Sequence, residues 1–110
     1  MGKASVDVLQ GSLDLLILAV LASEELHGWG VSKRIRELSR EVLEVNQGSL
    51  YPALYRLQDQ GLLTSRWGVS PEGRRAKLYR LTGSGTRRLG EEKGNWRLFS
   101  RAVDHILVGS

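Results

Sequence analysis

At Gly61 the apolar period of this sequence changes, and that change limits the possible folds more than any other feature. Upstream, apolar residues recur every three or four positions: Val31, Ile35 and Leu38, then Leu50, Leu54 and Leu57. That spacing stacks side chains along one face of an α-helix. Downstream, residues 62–67 and 76–81 alternate between apolar and polar character and are rich in strand-favouring residues. This is the period of a strand with one buried face. Between them, residues 68–75 include Pro71 and Gly73, so the two strands form a hairpin with a loop of several residues. Helical spacing returns after Thr82. The expected order is helix, helix, helix, strand, strand, helix: a mainly α fold with a small β-hairpin.

The ends of these elements are also legible. Residues 1–8 carry no periodic pattern and are expected to be loosely held. Ser12 is the expected N-cap of a first helix whose run from Leu13 to Leu21 is apolar on nearly every side, as befits a helix at the centre of the fold or in an interface. The strongest apolar run, Leu15 to Ala22, is too short to span a bilayer. Asp7 and Asp14 stand before it where a signal peptide would be basic. The turn His27-Gly28-Trp29-Gly30 opens a second helix, with His27 as its capping or packing residue and Lys33, Arg34, Arg36 and Glu37 facing solvent. Asn46 is the expected N-cap of a third helix that starts at Gln47 and stops at Gly61, with Pro52 near enough to its start to be tolerated. Thr82 ends the second strand and can cap a last helix.

That last segment, residues 83–108, places Leu89, Trp96, Phe99, Val103 and Ile106 at steps of 7, 3, 4 and 3. The steps trace a heptad seam on a helix about 40 Å long at roughly 1.5 Å per residue. A lone helix with so narrow an apolar stripe needs a partner. A chain of 110 residues, which folding alone would bury only about two-thirds of its unfolded surface, has the same need. Residues 9–82 therefore read as one domain and residues 83–108 as a dimerisation helix.

Composition bounds the function. Apolar residues make up 41% and charged residues 25% of the chain, the balance of an ordinary soluble domain. With no cysteine there is no disulfide framework and no thiolate or cysteine-zinc chemistry, which suits a reducing cytoplasm. The net charge of +4 is unevenly spread: residues 1–61 hold 6 Lys/Arg against 8 Asp/Glu, and residues 62–110 hold 10 against 4. So basic a second half points to a polyanion, nucleic acid before membrane. Arg66, Arg74, Arg75 and Lys77 fall on the hairpin, with Glu72 the sole acid near them in sequence. Each can form charge-assisted hydrogen bonds to a phosphate. Once Leu50, Leu54 and Leu57 face inward, the third helix has Asn46 and Gln47 at its entry and Ser49, Tyr51, Tyr55 and Arg56 along its outer side. Gln47 can read an adenine edge, Ser49 and Tyr51 can bond phosphate oxygens, and Arg56 can do either. Partial burial as packing residues is the alternative role for Tyr51 and Tyr55.

Other chemistries lack their residues. His27 and His105 lie far apart, and neither has a nucleophile or a metal-ligand spacing beside it. Gly83-Ser84-Gly85 follows a strand, but Arg88 stands where a dinucleotide fingerprint needs its third glycine, and no phosphate-loop pattern with its lysine occurs. No catalysis, metal or cofactor is expected. Three helices followed by a hairpin can also serve protein or RNA recognition, which is the alternative to duplex DNA.

Several ordered motifs carry a resemblance. The stretch Leu9-Gln10-Gly11-Ser12-Leu13-Asp14-Leu15-Leu16-Ile17-Leu18, the turn His27-Gly28-Trp29-Gly30 and the run Val45-Asn46-Gln47-Gly48-Ser49-Leu50-Tyr51-Pro52-Ala53-Leu54 are its first half. Residues 57–63, the run Arg74-Arg75-Ala76-Lys77-Leu78-Tyr79-Arg80-Leu81-Thr82 and Gly85 complete it. Together, over residues 9–107, they resemble the PadR family of bacterial transcriptional regulators, which are winged helix-turn-helix proteins. Asn95-Trp96-Arg97-Leu98-Phe99 looks most like its acidobacterial-type branch. The resemblance implies a homodimeric repressor of double-stranded DNA with a pseudo-palindromic operator. Its dimer interface would join the first helix, through Leu15 and Leu18, to the seam of Leu89, Trp96, Phe99, Val103 and Ile106. Residues 48–52 would open the recognition helix, and Arg74, Arg75 and Lys77 would belong to the wing. Trp96 would be either a large residue of the dimer seam or a stacking surface for an aromatic small-molecule effector.

Overall fold

The computed structural model describes residues 6–7 and 10–109. Its elements are β1 (Val6–Asp7), α1 (Gln10–Leu21), β2 (Leu26–His27), α2 (Gly28–Leu38), β3 (Leu43–Glu44), α3 (Gln47–Asp59), β4 (Leu63–Val69), β5 (Arg75–Leu81) and α4 (Gly83–Gly109). Four helices thus surround a small antiparallel sheet of order β2-β5-β4, which is the expected fold class. The core follows the periods read above. α1 buries Leu13, Ile17, Leu18, Val20 and Leu21; α2 adds Val31 and Ile35; α3 adds Leu50, Ala53, Leu54 and Leu57. The base of the hairpin supplies Leu63 and Tyr79, and α4 supplies Leu89.

The caps explain where the helices begin. The Nδ1 atom of His27 accepts the Gly30 amide at 2.8 Å, and the Oδ1 atom of Asn46 accepts the Gly48 amide at 2.7 Å. Each satisfies one of the orphan amides of a first helical turn. The Thr82 hydroxyl accepts the Gly85 amide at 3.0 Å and donates to the Gly61 carbonyl at 2.6 Å. One side chain therefore caps α4 and ties it to the end of α3. Gly61 leaves α3 with φ +76°, a backbone region open to glycine at little cost.

Several expectations are corrected. α1 begins at Gln10, so Ser12 lies inside the helix rather than at its cap. Leu38, at the last turn of α2, is 60% exposed because the helix has by then passed the core. Of the segment expected to be loose, Val6–Asp7 pairs in parallel with Leu43–Glu44, while residues 1–5 and 8 lie outside the described residues, as does Leu9. The wing strands run further toward the tip than alternation alone indicates, leaving residues 70–74 as the turn. Leu26–His27 joins the sheet beside β5; two residues are too few to show a period in sequence. Leu18 and Leu89 are 0% and 5% exposed, since α1 and the first turns of α4 pack on each other within the protomer. Neither presents a surface to a partner, so both belong to the core and not to a dimer seam. Leu15 is partly buried against that core.

Candidate nucleic-acid interface

The hairpin register sets the site. Leu63 pairs with Leu81, Ser65 with Tyr79, Trp67 with Lys77 and Val69 with Arg75. Residues two apart share a face of a strand, so one sheet face carries Tyr79 at its base and Trp67, Lys77 and Arg75 toward its tip. At the base that face is core. Nearer the tip it overhangs the exposed side of α3, and the overhang encloses an open cleft of about 740 Å³. The N-terminus of α2 forms one wall through Gly28 and Trp29, α3 another through Tyr51 and Tyr55, and the wing a third through Trp67, Arg75 and Lys77.

The cleft is aromatic and cationic together. The Arg75 guanidinium lies 4.8 Å from the centre of the Trp67 ring. The Lys77 ammonium lies 6.0 Å from that ring and 5.7 Å from the ring of Tyr55. Tyr79 forms part of the lining and is otherwise enclosed. Burial pushes its hydroxyl above the ordinary tyrosine value, with Tyr55 and Tyr51 adding to the shift. At the rim, His27 Nε2 stands 3.6 Å from Glu72. Partial desolvation works to raise the Glu72 carboxyl, but hydrogen bonds from its own backbone and Ser70, with His27 beside it, hold it below the ordinary carboxylate value. The wing's one acid is thus turned toward the cap of α2.

The residues predicted from sequence divide into two groups. Asn46, Gln47, Ser49, Tyr51 and Tyr55 are exposed; Tyr51 and Tyr55 share the cleft with Arg74, Arg75 and Lys77, whereas Gln47 lies on the α2 side, in a hollow with Trp29, Ser32 and Lys33. Asn46 has its side-chain oxygen committed to capping, and the Gln47 amide donates to the Ser32 hydroxyl at 3.0 Å. Tyr51 and Tyr55 are 37% and 53% exposed: Tyr51 is partly buried against Gly28, and Tyr55 is the more open of the two. Arg56 and Arg66 do not join them. Arg56 points along the flank of α3 toward α1, where it pairs with Asp14. Arg66 sits on the opposite face of the wing and makes two hydrogen bonds to Glu25, at 3.0 and 2.6 Å. That bond holds the Glu25 carboxyl below the ordinary value and raises the Arg66 guanidinium. Glu72 is therefore not the only acid near the wing cations: folding brings Glu25 from 41 positions away.

Trp29 and Trp67, 51% and 58% exposed, are cleft residues that the sequence reading missed. For Trp67 a signal existed. Alternation places it on the face of Leu63 and Ser65, the buried side at the base, and so directs it over α3. Among the described residues no group of His, Cys, Asp and Glu could hold a metal ion, and no helix is long and apolar enough to cross a membrane.

The sequence profile of the transcriptional regulator PadR-like family matches residues 17–91. A transcriptional regulator of Mycobacterium tuberculosis is 38% identical over 94 residues, 86% of this chain and 84% of that one. The negative transcriptional regulator PadR of Bacillus subtilis is 30% identical over 77 residues, 70% of this chain and 42% of its own. A PadR-like transcriptional regulator of Bacillus cereus, known from its crystal structure, superposes with a TM-score of 0.78 at 31% identity, covering 93% of this chain and 97% of that one.

Proposed function

The chain belongs to the PadR-like family of transcriptional regulators, which implies DNA-binding regulation and no enzymatic activity, and from this we propose that it is a homodimeric repressor of double-stranded DNA. One observation carries the reading: Tyr51 and Tyr55, on the exposed side of α3, and the wing cations Arg74, Arg75 and Lys77 line one cleft. An α-helix fits the major groove, where Gln47 can exchange Ser32 for a base edge. The wing can then follow the adjacent phosphates. α3 balances Arg56 against Asp59, so it is suited to discriminate between sequences while the wing provides affinity.

Dimerisation rests on α4. Beyond its buried start, Trp96, Phe99 and Ile106 are exposed and Val103 is half-buried, still at heptad spacing. Pairing along this seam would hold two copies of α3 about one DNA turn apart, near 34 Å, against a pseudo-palindromic operator. Repression follows the B. subtilis relative, whose name describes a negative regulator. Trp96 and Phe99, with ring centres 6.1 Å apart, offer the seam a surface on which an aromatic effector can stack. Such a ligand would bias the dimer toward a spacing that no longer matches successive grooves. The cytoplasm is the compartment this role requires, and the likeness of residues 95–99 to the acidobacterial-type branch supports assigning the chain there.

Selection of bound fragments from random duplex DNA with the purified chain tests the whole reading. It should return an inverted repeat with half-sites about one turn apart. Binding to that duplex should weaken with salt at a log–log slope near −7, for roughly 8 phosphate contacts per dimer. A slope near zero, or preference for RNA or for a protein partner, would reject it.

A further inference from the structure

Trp67 is 58% exposed, yet two cations lie on it: Lys77, directly across the ladder, and Arg75, on the diagonal. Lys77 is also within cation–π range of Tyr55, so it bridges the wing to α3. Arg66, on the other face of the wing, is instead held by a carboxylate. Among the described residues neither Arg75 nor Lys77 forms a salt bridge.

The two ways of holding a cation differ in what is left over. A carboxylate neutralises the charge and occupies N–H donors. An aromatic face attracts the cation through its quadrupole but leaves the net charge and the outward N–H groups available. We propose that Trp67 is a positioning residue for phosphate binding: its indole, with Tyr55, holds Arg75 and Lys77 un-neutralised and in place before nucleic acid arrives. Long basic side chains lose rotamer freedom when they dock, and fixing them beforehand lowers that loss. The Tyr55–Lys77–Trp67 chain has a second effect, because it couples the wing to the helix that enters the groove. The proposal rests on the reading of the chain as a duplex-DNA regulator.

The test uses the full chain and the duplex recovered by selection. Trp67→Leu keeps an apolar strand residue but removes the ring. It should bind about 3- to 10-fold more weakly, with the salt slope unchanged because no charge is lost. Trp67→Phe, which keeps an aromatic face, should recover most of the affinity. In the free protein, the Arg75 δ-methylene and Lys77 ε-methylene protons should be shifted upfield by the rings in the wild type. Trp67→Leu should abolish the Arg75 shift. Unchanged affinity in Trp67→Leu, a flattened slope, or an altered base preference (Trp67 itself touching the bases) would overturn the proposal. So would failure of Trp67→Phe to rescue, which also covers a Leu variant that misfolds. A wild-type chain that bound no duplex would overturn the regulator reading as well, and it is recognised without any variant.

Discussion

The ring of Tyr51 lies so close to Gly28 that a β-carbon on Gly28 would stand 2.6 Å from it. Gly28 is the first residue of α2, and Tyr51 is on the open face of α3. The contact therefore sets the direction in which the tyrosine hydroxyl enters the cleft. It also explains a glycine where alanine would otherwise favour the helix.

Gly28→Ala should move Tyr51 without unfolding the protein. The atoms that clash are the far end of a partly exposed side chain, which can swing away, so the stability change should stay within about 1 kcal/mol. Affinity for the selected duplex should fall about 3- to 10-fold, as measured by fluorescence anisotropy. Tyr51→Phe should lose a similar amount, and adding Gly28→Ala to it should lose little more.

Gly85 makes the opposite case. A β-carbon there would lie 2.1 Å from the Leu62 carbonyl oxygen, and both sides of that clash are backbone. Gly85→Ala should destabilise the fold by about 2–4 kcal/mol in urea unfolding. Gly90, further along the same helix, has open space at its β-position. Gly90→Ala should stabilise by up to about 1 kcal/mol. Equal effects at the two sites would mean that α4 does not dock as described.

Arg66 and Arg75 should separate in a salt titration. Arg75→Ala should flatten the log–log slope by about 0.9 per wing, whereas Arg66→Ala should leave it unchanged because Glu25 already engages Arg66. The pair has its own pH signature. Since Glu25 has a depressed pKa in the folded state, its contribution is present above the ordinary carboxylate value and is lost as pH falls through the depressed one. Wild type and Glu25→Gln should differ in thermal stability at neutral pH and converge in acid. A difference that grew on acidification would contradict the assignment.

Trp96→Glu should keep the protomer folded, because Trp96 is 48% exposed and outside the core. Sedimentation should then show a monomer. Duplex affinity should fall by about 100-fold or more as the second half-site contact becomes intermolecular. A dimeric Trp96→Glu protein would place the seam elsewhere.

Much of the fold was legible because its signals are local. The caps at Asn46 and Thr82 and the stop at Gly61 each involve backbone within a few residues, and the change of period after Gly61 reports which faces are buried. What the sequence could not distinguish was burial against the chain's own core from burial against a partner. Leu18 and Leu89 obey the same helical spacing in either case, and only the docking of α4 on α1 assigns them inward. Of the candidate interface, the exposure of α3's outer side and the basic charge of the wing were legible. The fates of Arg56 and Arg66 were not, since Asp14 and Glu25 lie 42 and 41 positions away.

By itself the sequence determined the element order, the buried faces and a basic hairpin following a neutral helix, since each depends on spacing or on summed charge. The tertiary structure decided which of the basic residues remain available. Arg56 and Arg66 meet carboxylates, while Arg75 and Lys77 meet the rings of Trp67 and Tyr55. The physical reason is the long-range nature of these contacts: a cation's partner is chosen by which elements pack together, and an ion pair neutralises the charge that an aromatic face leaves in place.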